Sequence, residues 1–241
     1  MVVAHRHGSG RGVVTTVVVL AAGAGSRFAA PYSKELHPLA PGVSVIDPLL
    51  SAIAAMTPPP KTLVVVSASK LDLIAHLGHH HDELAVLFQQ PRHGGGLSAA
   101  LLTAQPWCEE TVLVCLADQV YRSDPAPAFT SALSVIGAGA PVVVVAAECA
   151  DPDRLRVDGA LRVDGDVVAA SAEKPRDPAG FNACWSALAL TRSMLTTVAS
   201  DLAQGHTDHL RGAPVVWGPQ FANINHLADA TAAASTYGGL G

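Results

Sequence analysis

Three short stretches and one isolated carboxylate carry the residue types needed to handle phosphate. Leu20-Ala21-Ala22-Gly23-Ala24-Gly25-Ser26-Arg27-Phe28 follows an apolar, β-branched run. Glycines at the carboxyl end of a strand let the backbone approach a phosphate, with free N–H groups pointing at the anion. Arg27 follows two residues after Gly25 and can neutralise a polyphosphate, and Lys34 follows in Ser33-Lys34-Glu35-Leu36-His37-Pro38-Leu39. For the glycines alone, a tight turn with solvated charges is the plainer alternative. Asp118 stands alone after the apolar run Thr111–Ala117, on the edge where open α/β sheets bind ligands. A carboxylate there suits an oxygen-ligated Mg²⁺ that keeps several waters; a helix or turn cap is the alternative. Lys174 lies in Ala172-Glu173-Lys174-Pro175, where proline stops a strand and fixes the direction of the lysine; a surface Glu–Lys pair is the alternative. Cations, glycine-rich backbone and a carboxylate able to hold a divalent ion are the residue types that bind phosphorylated ligands.

The elements that must position these residues alternate between strand and helix. Thr16–Ala21, Thr62–Ser67 and Thr111–Ala117 are continuous apolar runs, as strands covered on both faces are. Leu84–Phe88 and Pro141–Ala147 read as further strands. Ile46–Met56, Lys70–Gly78, Leu97–Ala104 and Ala128–Ile136 have helical spacing. After residue 150 short strands are expected at Leu155–Val157, Leu161–Val163 and Val167–Ser171, broken by Asp158-Gly159 and Asp164-Gly165-Asp166. Trp185–Leu190 and Val215–Trp217 follow as strands, and Met194–Leu202 and Leu227–Ala234 as helices. The expected fold is α/β: a Rossmann-like, mainly parallel mixed sheet flanked by helices, with a small antiparallel insertion. Residues 1–12 read as a disordered lead-in and 13–241 as one domain, with a first half over 13–150 and a second over 151–241 whose texture differs.

Composition excludes other classes. The chain has 241 residues, 49% hydrophobic, with a formal net charge of −5, which is too apolar and too weakly charged for a disordered chain. No basic excess exists to track a nucleic-acid backbone. Cys108, Cys115, Cys149 and Cys184 lack CxxC spacing and read as reduced thiols of a cytoplasmic protein. Val13–Gly25 follows basic residues and has the texture of a secretory leader, but it is too short to span a bilayer and reads better as a first strand and glycine loop. No membrane partner is expected. Only four lysines, Lys34, Lys61, Lys70 and Lys174, stand beside eleven arginines, so a lysine inside a motif is informative.

The strings LAAGAGSRF and SKELHPL together resemble the signature of the sugar-phosphate nucleotidyltransferases. The likeness continues in order through Gln89-Gln90-Pro91 and Gly96-Leu97-Ser98-Ala99-Ala100-Leu101, Val114-Cys115-Leu116-Ala117-Asp118, Gly159 with Glu173-Lys174-Pro175, and Phe221-Ala222-Asn223-Ile224-Asn225. The resemblance implies an enzyme of the nucleotidyltransferase fold that joins a nucleoside triphosphate, a pyrimidine one favoured, to a sugar 1-phosphate and releases pyrophosphate. It implies that Leu20, Ala21, Ala22, Gly23, Gly25, Ser26, Gln90, Gly95 and Gly96 hold the nucleotide. Arg27 then stabilises the leaving pyrophosphate, Lys34 holds the α-phosphate, and Asp118 with Asn223 holds Mg²⁺. Gly159, Glu173, Lys174 and Asn182 bind the acceptor. A homodimer is a further expectation.

Some details depart from that pattern. Asn223 stands where sugar thymidylyl- and uridylyltransferases carry a second metal-binding Asp. Its segment, like Asp118-Gln119, resembles the molybdenum-cofactor branch, whereas GLSAAL and EKP resemble the sugar branch. A cytidylyltransferase with a non-sugar phosphate or phosphonate acceptor and a non-catalytic nucleotide-binding relative are therefore the alternatives. The histidine groups at 79–81 and 206–209 have no zinc-motif spacing and read as solvated loops.

Overall fold

The computed structural model describes residues 15–81 and 83–237; the lead-in expected over residues 1–12 lies outside them. In chain order the elements are β1 (Thr15–Ala21), β2 (Pro38–Ala40), β3 (Val43–Ser44), α1 (Asp47–Ala54), β4 (Lys61–Val66), α2 (Leu71–His80), β5 (Leu84–Phe88), α3 (Gly96–Ala104), β6 (Thr111–Leu116) and β7 (Gln119–Tyr121). Then come α4 (Ala126–Gly137), β8 (Val142–Glu148), α5 (Pro152–Leu155), β9 (Gly159–Asp164), β10 (Val167–Glu173), β11 (Ala183–Thr191), α6 (Met194–Ala203), β12 (Val215–Trp217), β13 (Phe221–Asn223) and α7 (Leu227–Thr236).

The main sheet is mixed. β5, β4, β1 and β6 run parallel in that order, and β11 joins β6 antiparallel. β11 also pairs with β8 and, at Ala183 and Cys184, with the β9–β10 hairpin. The side chains of β1 alternate between two cores: Val17, Val19 and Ala21 pack with α1, α2 and α4, while Val18 and Leu20 pack with α3. With helices on both faces, alternation disappears from the sequence and a continuous apolar run remains. The crossovers go from β1 to β4 and β5 on one side, then back across to β6 on the other. The loop after β1 and the end of β6 therefore flank the switch point where open α/β sheets form a crevice.

Two local expectations are corrected. Leu155–Val157 is not a strand: Pro152–Leu155 is a single helical turn. The Asp151 carboxylate accepts the Asp153 N–H at 2.9 Å, and Pro152 occupies the first helical position. Asp-Pro is a helix-start signal that outweighs the β-branched residue after it. Nor are the histidines all in solvated loops. His76 and His81 both bond Asp47 through Nε2, and the His209 side chain is buried against Asp201.

α2 also anchors the segment that follows the glycine loop. Lys70, just before the helix, donates to the Ala21 carbonyl at 2.9 Å and pairs with Glu35 at 2.7 Å. Asp72 in the first turn accepts from the Ser33 N–H and hydroxyl. Glu35 and Lys70 are both buried; Lys70 bonds Glu35 Oε1, and Glu35 Oε2 has no hydrogen-bond partner. Removing one member of such a pair leaves an uncompensated buried charge. Lys70→Met is therefore expected to lower unfolding stability by about 3–5 kcal/mol in denaturant titration. The double variant Glu35→Leu/Lys70→Met should recover most of that loss.

Candidate active site

A cleft of about 310 Å³ opens at the carboxyl edge of β1 and β6, lined by Gly23 to Arg27, Lys34, Asp118, Gly159, Glu173, Lys174 and Asn223. Residues separated by up to 200 positions meet there because the glycine loop, the end of β6 and the open end of the β9–β10 hairpin converge. The loop turns at Gly25, whose φ of +62° lies in the left-handed region, accessible to glycine without steric cost. The Gly25 carbonyl then accepts the Phe28 N–H at 2.8 Å.

Lys34 opens a short 3₁₀ turn, Lys34–Leu36. Its ammonium pairs with Asp118 Oδ2 and donates to the Ile224 carbonyl at 3.1 Å. Arg27 reaches across to Asn225 Oδ1 at 2.8 Å. The Ile224 N–H donates to the Asp118 carbonyl at 2.8 Å. Three consecutive residues, the last of β13 and the two that follow it, thus touch three parts of the cleft: Asn223 bonds Asp158, Ile224 seats Lys34 and Asn225 orients Arg27.

Lys174 is the one non-glycine among the described residues with a positive φ, +51°. Such a backbone costs roughly 1–2 kcal/mol, and strain of this kind is concentrated at functional sites. The Lys174 N–H donates to the Asp158 carbonyl at 3.1 Å, and its ammonium lies 3.3 Å from Glu173. Gly159 pairs with Glu173 across the hairpin. A Cβ on Gly159 would lie 1.8 Å from Trp185 Nε1, so the indole occupies the space a side chain would need.

The residues fit a divalent ion. The Asn223 amide nitrogen donates to Asp158 Oδ1 at 2.6 Å, which fixes the amide orientation. Asn223 Oδ1 is left buried with no partner, and Asn223 lines the same cleft as the Asp118 carboxylate. A carboxylate and an orphaned amide oxygen are the hard donors Mg²⁺ takes.

Other expected residues lie elsewhere. Leu20 and Ala21 are buried in the strand; Ala21 offers its carbonyl to Lys70, and Leu20 offers its own to the Ala117 N–H. Ala22 packs against the α3-side core. From the Gln90–Leu97 stretch, the cleft is lined by Leu97 and not by Gln90, Gly95 or Gly96. The Gln90 amide donates back to the Phe88 carbonyl at 3.3 Å. Asn182 is not in the cleft: its amide clasps the Val163 N–H and carbonyl at 2.8 and 2.9 Å, a structural clip on β9. The sequence reading gave no role to Asp158, Asn225 or Trp185. Asp158 was hidden in a turn-like Asp-Gly pair, and its spacing from Arg154, four residues, was its one local signal; Arg154 Nε bonds it at 3.2 Å. The four cysteines are free and buried. Burial pushes the Cys108 thiol up to about 11, against the pull of Arg192 and Lys61, and raises Cys115 and Cys184 further. None of these three is poised as a nucleophile.

A family model described as the MobA-like NTP transferase domain matches residues 17–233. The bifunctional protein GlmU of Roseobacter denitrificans is 34% identical over 153 residues, covering 63% of this chain and 32% of that protein. GlmU of Hyphomonas neptunium is 38% identical over 79 residues, covering 33% of this chain and 17% of that one. The chain thus spans a third or less of the length of these curated relatives. A solved structure from Bacillus anthracis, named a "Putative Glucose-1-Phosphate Thymidylyltransferase", superposes with a TM-score of 0.76 at 15% identity, covering 92% of this chain and 94% of that one. At that identity the likeness is one of fold. Among the described residues no helix is long and apolar enough to cross a membrane.

The close approach at Gly159 gives a direct test of the hairpin's seating. Gly159→Ala must displace the Trp185 ring, and overpacking of this kind costs about 1–3 kcal/mol. Urea unfolding should show that loss, accompanied by a shift in tryptophan emission.

Proposed function

Because the chain belongs to the MobA-like NTP transferase family, we propose that it is a nucleotidyltransferase that joins a nucleoside triphosphate, preferably a pyrimidine one, to a sugar 1-phosphate. The observation that carries this reading is the meeting of Arg27, Lys34, Lys174 and Asp118 in one cleft at the sheet switch point. The glycine loop offers backbone N–H groups to the triphosphate, and Arg27, steadied by Asn225, faces the leaving pyrophosphate. Lys34 holds the α-phosphate. Lys174, projected by its left-handed backbone, holds the acceptor phosphate on the opposite side. Bound by Asp118 and Asn223, Mg²⁺ would neutralise phosphate charge. An acceptor phosphate is already ionised at neutral pH, so in-line attack at the α-phosphorus needs no general base. The cations stabilise charge that moves toward the leaving group.

A second reading is favoured by Asn223 and by the neighbouring space. A larger cavity of about 930 Å³ shares Arg27, Asp158, Asn223 and Asn225 with the cleft and adds Arg122 and Arg154. It leaves room for a bulkier, non-sugar phosphate or phosphonate acceptor, with CTP as donor.

A pyrophosphate-release screen of five nucleoside triphosphates against sugar 1-phosphates and non-sugar phosphates tests both readings. Release with no pair would overturn them together. With the active pair, Lys34→Ala should lower turnover by about a hundredfold or more in steady-state assays. Asp118→Asn should move the Mg²⁺ titration of rate to much higher concentration.

A further inference from the structure

A second group of ligand-type side chains lies outside the cleft, where α1 begins and α2 ends. Asp47 is the first residue of α1, His76 lies within α2, and His81 follows its last turn. His76 Nε2 is 2.6 Å and His81 Nε2 3.1 Å from the same oxygen, Asp47 Oδ1. The three side chains are only 15–18% exposed. The other carboxylate oxygen accepts the Ser44 N–H at 2.7 Å, which fixes the direction of Oδ1. Among the described residues this is the one set of three His, Cys, Asp or Glu ligand atoms that all lie within 4.8 Å of one another.

We propose that Asp47, His76 and His81 form a binding site for a borderline divalent transition metal of the Zn²⁺ type. Two imidazole nitrogens and one carboxylate oxygen are ligands zinc accepts at about 2.0–2.2 Å, with a water in the fourth position. Tetrahedral ligation at that length needs ligand atoms roughly 3.3 Å apart; the nitrogens lie 2.6 and 3.1 Å from Oδ1 and all three atoms lie within 4.8 Å of one another, so modest side-chain movement brings them to that spacing. Mg²⁺ prefers an all-oxygen octahedron, so the two sites sort their ions by chemistry. Zinc takes an imidazole nitrogen through its lone pair, so ligation through Nε2 places any ring proton on Nδ1.

The neighbouring histidines do not share this geometry. His79 Nδ1 is bonded to the Ala75 carbonyl at 2.7 Å, and the His80 ring lies beside that of His76, tilted by 35° with centroids 4.6 Å apart. The site would fasten the start of α1 to the end of α2, whose other end holds Ser33 and, through Lys70, Glu35. It is therefore a structural or regulatory ion site on the frame that carries Lys34.

The test is equilibrium binding of Zn²⁺ alone to the full chain after chelator treatment, by calorimetry and by metal content after dialysis. One Zn²⁺ per chain is expected, with a rise in Tm. His76→Ala and His81→Ala should each weaken binding by about a hundredfold or more, while His79→Ala leaves it unchanged. Co²⁺ titration of the unaltered chain should give the intense visible absorption of a tetrahedral N/O site, a readout that does not depend on any variant folding. The proposal is overturned if Zn²⁺ does not bind, if Co²⁺ gives only a weak octahedral spectrum, or if binding survives in both alanine variants and is lost with His79→Ala. The last result would place the ion on the exposed histidine run.

Discussion

The ammonium group of Lys70 sits between the last carbonyl of β1 and the carboxylate of Glu35, and the geometry of the cleft depends on that contact. It joins the strand that launches the glycine loop to the segment that carries Lys34. Between these points the chain makes a long excursion through Pro31 and Tyr32 with little regular structure. Such a segment would cost conformational entropy to hold still. The buried ion pair and the paired bonds from Asp72 to Ser33 fix it at both sides of Lys34. A buried pair is weak evidence for stability, since replacement by apolar residues is often neutral. Here its value is directional, because it sets where the next side chain points.

The opposite wall is organised by Asn223, Ile224 and Asn225. β13 pairs with β7 directly after Asp118, so the register that places Asn223 across from Gln119 also sets Ile224 beside Asp118. Ile224 is fully buried and acts through its backbone, receiving Lys34 and donating to Asp118. An apolar side chain thus pins a polar backbone at a charged site. The third wall, the hairpin, is seated on Trp185 at Gly159 and turned inward at Lys174.

Much of the frame was legible in the sequence because it rests on local signals. Leu84–Phe88 and Val215–Trp217 have the strand limits expected, and the apolar runs of β1, β4 and β6 differ by about a residue at their ends. The glycine loop, Lys34, Asp118 and Lys174 carried motif information, and the fold brings them together. Long-range pairings were not legible. Asp158 resembled half of a turn, yet its carboxylate holds Asn223 and Arg154. Asn182 looked like a pocket residue, yet its amide is consumed by Val163. Glu35 and Lys70 are 35 positions apart, and nothing in their spacing pairs them until the fold places α2 beside the loop. In each case a side chain of ordinary type takes its role from a partner that no spacing rule names.

Charge in the cleft is arranged as opposed pairs, Lys34 with Asp118 and Lys174 with Glu173. For Lys34 and Asp118, whose side chains are 11% and 24% exposed, pairing offsets the desolvation penalty that a lone charge would carry, whereas Lys174 and Glu173, 54% and 35% exposed, form a solvent-screened pair at the rim. On the proposed reading, the incoming ligand is itself such a combination, an anionic triphosphate with a divalent cation. Lys34 can exchange a carboxylate for a phosphate while Asp118 exchanges an ammonium for the metal, so neither charge is left unpaired. Lys174 and Glu173 can do the same with the acceptor's phosphate and hydroxyl groups. Exchange of partners keeps the electrostatic cost of loading small. A compact ammonium can swing between two oxygens on its flexible stem, whereas a guanidinium fork holds its partner in a fixed plane. Arg27 fits the complementary role: its partner is the neutral Asn225 amide, which orients the fork while leaving its charge free for phosphate.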